Sequence, residues 1–197
     1  LADTREKILN SALNLFAKNG YHGTSIRAIA DSVGIQKSSI YNHFSGKKAI
    51  FSELFKKLAP IDMEEEFYKS KILNENEDPV EILHFFGRLI IDEMKDKNKS
   101  KWLKIMLREH SHPEVKKRMK ERLENNVRIG ERFFKKMKDK GEIKSDLNCF
   151  LLANEFIGGI VFFRMRYLLF ELDSFEELEA ETEEHIDFFW KNIKKET

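Results

Sequence analysis

Between Gln36 and Lys48 the chain sets out hydrogen-bond donors, acceptors, three rings and three cations in one short run, QKSSIYNHFSGKK. Side chains of this kind read base edges and hold phosphate oxygens, so the chemistry is that of a DNA contact rather than of bond making. Lys37, Ser38 and Ser39 stand at the start of the run, and a helix entering a groove reads mainly through its N-terminal residues. Tyr41, His43 and Lys47 are suited to phosphates, and Gln36, Asn42 and Lys48 lie within the same reach. Ser25 and Arg27, a few residues earlier, add two further candidate phosphate contacts.

Two short helices must carry these groups. Ile26, Ile29, Ala30 and Val33 fall on one face of a 3.6-residue period, with Thr24 as the expected N-cap. Gly34 follows where that helix must end, since a residue without Cβ enters the left-handed region at little cost. Ile35, Ile40 and Phe44 then supply the apolar side of a second helix and leave the polar run outward. Upstream, Asp3-Thr4-Arg5-Glu6 has the form of a capping box, and Ile8, Ala12, Leu15 and Phe16 make the inner face of a bracing helix that Asn19-Gly20 stops. Downstream, Ile50, Phe51, Leu54, Phe55 and Leu58 form the stripe of a fourth helix from Lys47, and Met63 to Ile72 has the periodicity to continue it beyond Pro60.

From Asp3 to about Leu58 the chain resembles the DNA-binding domain of the TetR family of bacterial transcriptional regulators. The residues that carry the likeness are Phe16-Ala17-Lys18-Asn19-Gly20-Tyr21, Thr24-Ser25-Ile26-Arg27, Ile29-Ala30, Val33-Gly34-Ile35, and Ile40-Tyr41-Asn42-His43-Phe44 followed by Lys47. Ala28 and Lys48 depart from the family's frequent acids and make the segment more basic. The resemblance implies a repressor that leaves its operator when a small molecule binds a second helical domain, and it implies a homodimer.

Charge follows the motif. Residues 1–58 hold nine Lys and Arg against four Asp and Glu, whereas the remainder holds 26 against 30. Hydrophobic residues make up 41% and charged residues 35%, enough apolar content for a substantial core, and the three prolines and nine glycines favour an all-α chain. One cysteine, Cys149, rules out an internal disulfide framework and fits a reducing compartment. No apolar run is long enough to span a bilayer and no signal peptide is evident, so the expected location is the cytoplasm, associated with the nucleoid.

The second domain is expected over residues 59–197, after a helix-turn-helix domain over 1–58. Asp78-Pro79 is a helix start, and the apolar set from Val80 to Met94 covers more than half the circumference of a helix reaching about Asp96. Lys99 to His110 forms a shorter helix, His112-Pro113 restarts the chain, and Gly141 ends the next helix. From Asp146 the segment LNCFLLANEFIGGIVFFRMRYLLF is apolar all round and must be covered all round. Ser174-Phe175-Glu176-Glu177 opens the last helix with a capping box, and Phe175, Leu178, Thr182, Ile186, Phe189 and Ile193 repeat as a heptad-like seam. These two helices are expected to form the dimer, with Phe156, Gly158, Gly159, Phe163, Tyr167, Leu178, Ile186 and Phe189 in the interface.

The effector expected is apolar or amphipathic. The candidate lining is Phe85, Phe86, Trp102, Met106, Phe156 and Phe163, with His84, Glu155 and Arg164 to orient it. Aromatic and Met surface of this kind is more often plain core, and here the family resemblance weights the ligand reading. Rival chemistries are weaker. Glu81 and His84 have the Glu-x-x-His spacing of di-iron bundles, but such a site needs two such pairs on facing helices plus two further inward glutamates. His110 and His112 straddle a helix junction, where a cap is the simpler role for His112, and Cys149 has no nearby partner in sequence. The expectation is therefore no catalysis, no metal and no cofactor. A ligand-free DNA-binding or interaction module stands as the alternative, and a metal-dependent helical-bundle enzyme as a weaker one.

Overall fold

A computed structural model describes residues 3–58, 77–170 and 174–195. Among these, nine α-helices follow in order: α1 Thr4–Gly23, α2 Ile26–Val33, α3 Lys37–Tyr41, α4 Lys47–Leu58, α5 Pro79–Ile91, α6 Lys97–Arg108, α7 Pro113–Asp139, α8 Cys149–Phe170 and α9 Phe175–Ile193. The all-α expectation holds, and an isolated antiparallel bridge between Ile143 and Lys194 is the extended pairing found. The continuation proposed for Met63 to Ile72 lies outside the described residues.

Local signals set most helix ends. Asp78 accepts from the Val80 amide with proline at the first turn of α5. Ser174 and Glu177 complete a reciprocal capping box at α9. Gly34 closes α2 at φ 77°, ψ 33°, in the left-handed region that a side chain disfavours. Other ends differ from expectation. The cap of α2 is Ser25, which accepts from the Ala28 amide at 3.0 Å, while Thr24 is buried and donates its hydroxyl to the Gly20 carbonyl at 2.8 Å. Asp3 makes no side-chain cap, because Glu6 is drawn instead to Lys57 and Arg5 to Glu53 at 2.8 Å. The α5 helix tightens into a 3-10 turn at Asp92–Met94 and ends there, since Asp96 caps α6 by accepting from the amides of Asn98 and Lys99. Asn148, not Asp146, caps α8 by accepting from Phe150 and Leu151.

Two compact units result, Leu1–Pro60 with Asp96–Val115, and Ile61–Lys95 with Lys116–Thr197. In the first, α1 to α4 are joined by α6, a helix the sequence reading placed with the second domain. It packs on α1, where Lys101 donates to Asn14 at 2.8 Å and Arg108 donates to the Lys18 carbonyl at 3.3 Å. Trp102, fully buried, brings its ring within 5.1 Å of Phe51 and 5.3 Å of Phe55. At Gly20 the chain of α1 turns through φ 75°, and a Cβ there would lie 2.9 Å from the Glu109 carboxylate, so glycine serves both the turn and the close approach.

In the second unit α9 packs on α5 and α8. Its core is aromatic: Phe156 lies 6.0 Å from Phe86, 6.3 Å from Phe134 and 5.4 Å from Phe189, centroid to centroid. The end of α9 is tied down by the Lys144 amide donating to Ile193 and the Lys195 amide donating to Glu142.

Candidate nucleic-acid interface and cavity

The reading pair is built from one side outward. Ile29, Ala30 and Ile40 are fully buried and Phe44 nearly so, which fixes the rotation of α2 and α3 on the first unit. That rotation leaves Gln36, Lys37, Ser38, Tyr41, Asn42 and His43 exposed on one short helix and its flanks, with Tyr41 51% accessible. Ser39 is half-buried, and Ser25, Arg27 and Lys48 are exposed. Among the described residues Arg27 has a long contact to Asp31, 3.9 Å with both side chains in solvent, so its guanidinium remains open to an anion. The structure thus brings the expected set together with two qualifications. Ser25 already serves as the α2 cap, although its hydroxyl hydrogen can still be donated.

Lys47 is the second. Its ammonium donates to the carbonyls of Tyr21 at 2.7 Å and Thr24 at 2.8 Å and sits 4.4 Å from the centre of the Tyr21 ring. Burial pushes its pKa below the usual lysine range, and Glu109 nearby opposes that shift. Two of its three donors are therefore committed to joining α4 to the turn after α1, which leaves one N–H for the phosphate role expected of it.

Sequence reasoning missed the residues that complete this brace. Glu109 accepts from the Tyr21 amide at 2.8 Å, and the His112 ring lies 5.3 Å from Tyr21 and 5.4 Å from Phe51. The Tyr21 hydroxyl is pushed above its ordinary pKa by burial first and by Glu114 second. No local spacing links Tyr21 to Glu109, which stand 88 positions apart.

The second unit holds a small apolar cavity lined by Ile82, Leu83, Phe86, Ile129, Gly130, Phe133, Phe134 and Phe156. Its internal volume is about 10 Å³, on the order of one water molecule. Of the residues expected to line a ligand site, Phe86 and Phe156 are here. Trp102 and Met106 are not, being core residues of the first unit. His84 pairs through Nε2 with Asp187 at 2.8 Å, Glu155 is exposed, Phe85 is half-buried, and Phe163 stands edge-on to His185 at 5.6 Å. Arg164 is mostly buried near Glu93.

The expected dimer residues separate in the same way. Phe156, Leu178, Ile186 and Phe189 are buried within their own unit, because a heptad seam is satisfied equally by a neighbouring helix of the same chain. Gly159 faces His185, where a Cβ would stand 2.4 Å from the imidazole, while Gly158 is exposed with open space before it. Phe163 and Tyr167 are half-buried. Large apolar side chains left exposed include Phe150, Leu151, Phe162, Met165, Leu169 and Phe170 on α8, Phe188 on α9 and Leu123 on α7.

Among the described residues no three His, Cys, Asp or Glu side chains converge as metal ligands would. His110 contacts the Leu107 carbonyl at 3.2 Å, and Cys149 is buried. No described helix is long and apolar enough to cross a membrane.

Residues 8–54 match the family model of bacterial regulatory proteins, tetR family. A segment of 52 residues is 44% identical to the biofilm operon icaADBC negative transcriptional regulator IcaR of Staphylococcus aureus, covering 26% of this chain and 28% of IcaR's own length. The transcriptional regulator UidR of Escherichia coli is 28% identical over 153 residues, 74% of this chain and 71% of UidR. In fold, SmeT of Stenotrophomonas maltophilia in its triclosan complex superposes with a TM-score of 0.72 at 19% identity, over 98% of this chain and 92% of SmeT. Residues 8–54 thus carry the DNA-binding domain of the tetR family of bacterial regulatory proteins, on a chain that shares the fold of SmeT along nearly its whole length.

Proposed function

We propose that the chain is a cytoplasmic transcriptional repressor that binds a pseudo-palindromic operator as a homodimer and is released by a small apolar or amphipathic molecule. The observation that carries the DNA reading is the outward face of α3, where Lys37, Ser38, Tyr41, Asn42 and His43 are exposed while Ile40 and Phe44 are buried. Lys37, Ser38 and Gln36 read base edges; Tyr41, Asn42, His43, Lys48, Ser25 and Arg27 hold phosphates. Two copies related by a two-fold axis require two half-sites in mirrored order. The exposed apolar side chains on α8 and α9 support pairing through these helices, since large apolar groups gathered at a surface commonly mark an interface.

Selection of bound fragments from a random duplex library tests the operator reading. The expected result is an inverted repeat, and an enriched pool without symmetry would overturn it. UidR and IcaR are named as transcriptional regulators, and IcaR as a negative one, which supports the repressor assignment.

Effector release rests on the apolar cavity and on SmeT, whose structure holds triclosan. The effector must bind one head arrangement better than the other, because equal affinity for both shifts nothing. A second reading, a ligand-free DNA-binding protein, is favoured by the small size of the cavity. Native mass spectrometry of the gently purified protein distinguishes them: a retained small molecule supports the sensor, and an unliganded mass that no apolar compound shifts supports the alternative.

A further inference from the structure

The second unit contains a charge cluster out of balance. Glu93, in the 3-10 turn after α5, accepts from Arg122 of α7 at 2.9 Å, and the same oxygen lies 3.6 Å from Nη1 of Arg164 on α8. All three side chains are largely covered, at 12%, 25% and 15% exposure respectively. One carboxylate thus serves two guanidinium groups. Among the described residues Arg164 is the poorly served member: its hydrogen bond to the Ile90 carbonyl is long at 3.5 Å, and its Nε is buried with no partner there. Burial, then the neighbouring Arg122, lowers the Arg164 pKa to about 10, and Glu93 offsets this only in part. A covered cation with unmet donors is costly to fold unless an anion completes it.

The cluster shares a seam with the apolar cavity. Arg164 follows Phe156 by eight residues on α8, Arg122 precedes Ile129 by seven on α7, and Glu93 follows Phe86 by seven at the end of α5. On α7 and α8 spacings of seven and eight return to the same helix face, eight residues corresponding to about 12 Å of axial rise, and Glu93 is held at that level by its contacts to Arg122 and Arg164. The apolar lining and the charged end therefore occupy successive levels between the same three helices.

We propose that Arg164, with Arg122, seats the carboxylate of an apolar acid whose body lies in the cavity among Phe86, Phe134 and Phe156. The assignment rests on the sensor reading above and narrows its effector to an acid. A carboxylate offers two oxygens to a guanidinium edge, so it meets the unpartnered Nε while drawing Arg164 away from its long contact to Glu93. Glu93 is the resident competitor. It keeps the site partly neutralised when empty and opposes the incoming acid. The cavity is near the size of one water, so binding selects an arrangement in which the aromatic lining has parted.

Calorimetric titration of the full chain with decanoate and with decanol tests this, the two probes sharing a chain on the order of the 12 Å separation and differing in the head group. Decanoate is expected to bind at least tenfold more tightly than decanol. Arg164→Gln should remove that advantage and leave decanol within about twofold, and Glu93→Gln should strengthen decanoate severalfold by removing the competitor. Thermal unfolding without probe establishes that each variant is folded. If Arg164→Gln does not fold, Glu93→Gln decides, and no gain for decanoate overturns the seat. Decanol binding as tightly as decanoate to the unaltered chain overturns the seat while leaving the sensor reading intact. If neither probe binds, the sensor reading fails and the seat with it.

Discussion

The ammonium of Lys47 and the ring of Tyr21 lie 4.4 Å apart, with the same ammonium donating to the Tyr21 carbonyl at 2.7 Å. One side chain thereby fixes the start of α4 against the turn that precedes the reading pair, and the Thr24 carbonyl completes its grip. Lys47→Met removes the charged hydrogen bonds and should destabilise the protein by about 1.5–3 kcal/mol. Chemical denaturation measures the loss. At a temperature where the variant is folded, the salt slope of DNA binding should match that of the unaltered chain, whereas a slope lower by about one unit would return Lys47 to phosphate contact.

Tyr41 should behave in the opposite way. It is exposed on α3, so Tyr41→Ala should change stability by no more than about 0.5 kcal/mol. Affinity for a duplex recovered by library selection should nevertheless fall, as the phosphate contact proposed for the phenol requires. Lys37→Ala should lower affinity and also relax preference at one base pair. Unaltered binding by both variants would remove α3 from the interface.

Phe162 and Phe156 divide the faces of α8. Phe162 is 59% exposed and Phe156 is 1% exposed, six residues away. Phe162→Glu should leave a folded monomer in sedimentation, with weakened binding to a palindromic duplex. Phe156→Ala should instead lower stability by about 3–5 kcal/mol. A fully dimeric Phe162→Glu protein would move the interface elsewhere.

Trp102 tests the placement of α6. It is fully buried against Phe51 and Phe55, so Trp102→Ala should cost about 3–5 kcal/mol and disturb amide signals on α4. Apolar probes at the cavity should bind this variant unchanged, provided it is folded. Loss of probe binding without loss of stability would restore Trp102 to the ligand site.

The sequence by itself determined what depends on residues a few positions apart. Asp78-Pro79, Ser174 with Glu177, and Gly34 act through the backbone of their own turn, so their helix ends were legible before any packing was known. The outward face of α3 was legible for a related reason, since Ile40 and Phe44 four residues apart had to turn inward together. Tertiary structure decided the pairings between distant segments. Whether Thr24 or Ser25 caps α2 depends on the carbonyls of Leu15 and Gly20 that capture the Thr24 hydroxyl. The Tyr21 amide meets a carboxylate 88 positions away, and Trp102 found its partners in Phe51 and Phe55. Hydrophobic burial is non-directional, so a helix that is apolar on every side announces that it will be covered but does not name the cover. Packing of α5 and α9 around α8 buried Phe156, Leu178, Ile186 and Phe189 within the chain and left Phe162, Met165, Leu169 and Phe188 outside, and only side-chain volume in three dimensions could make that division.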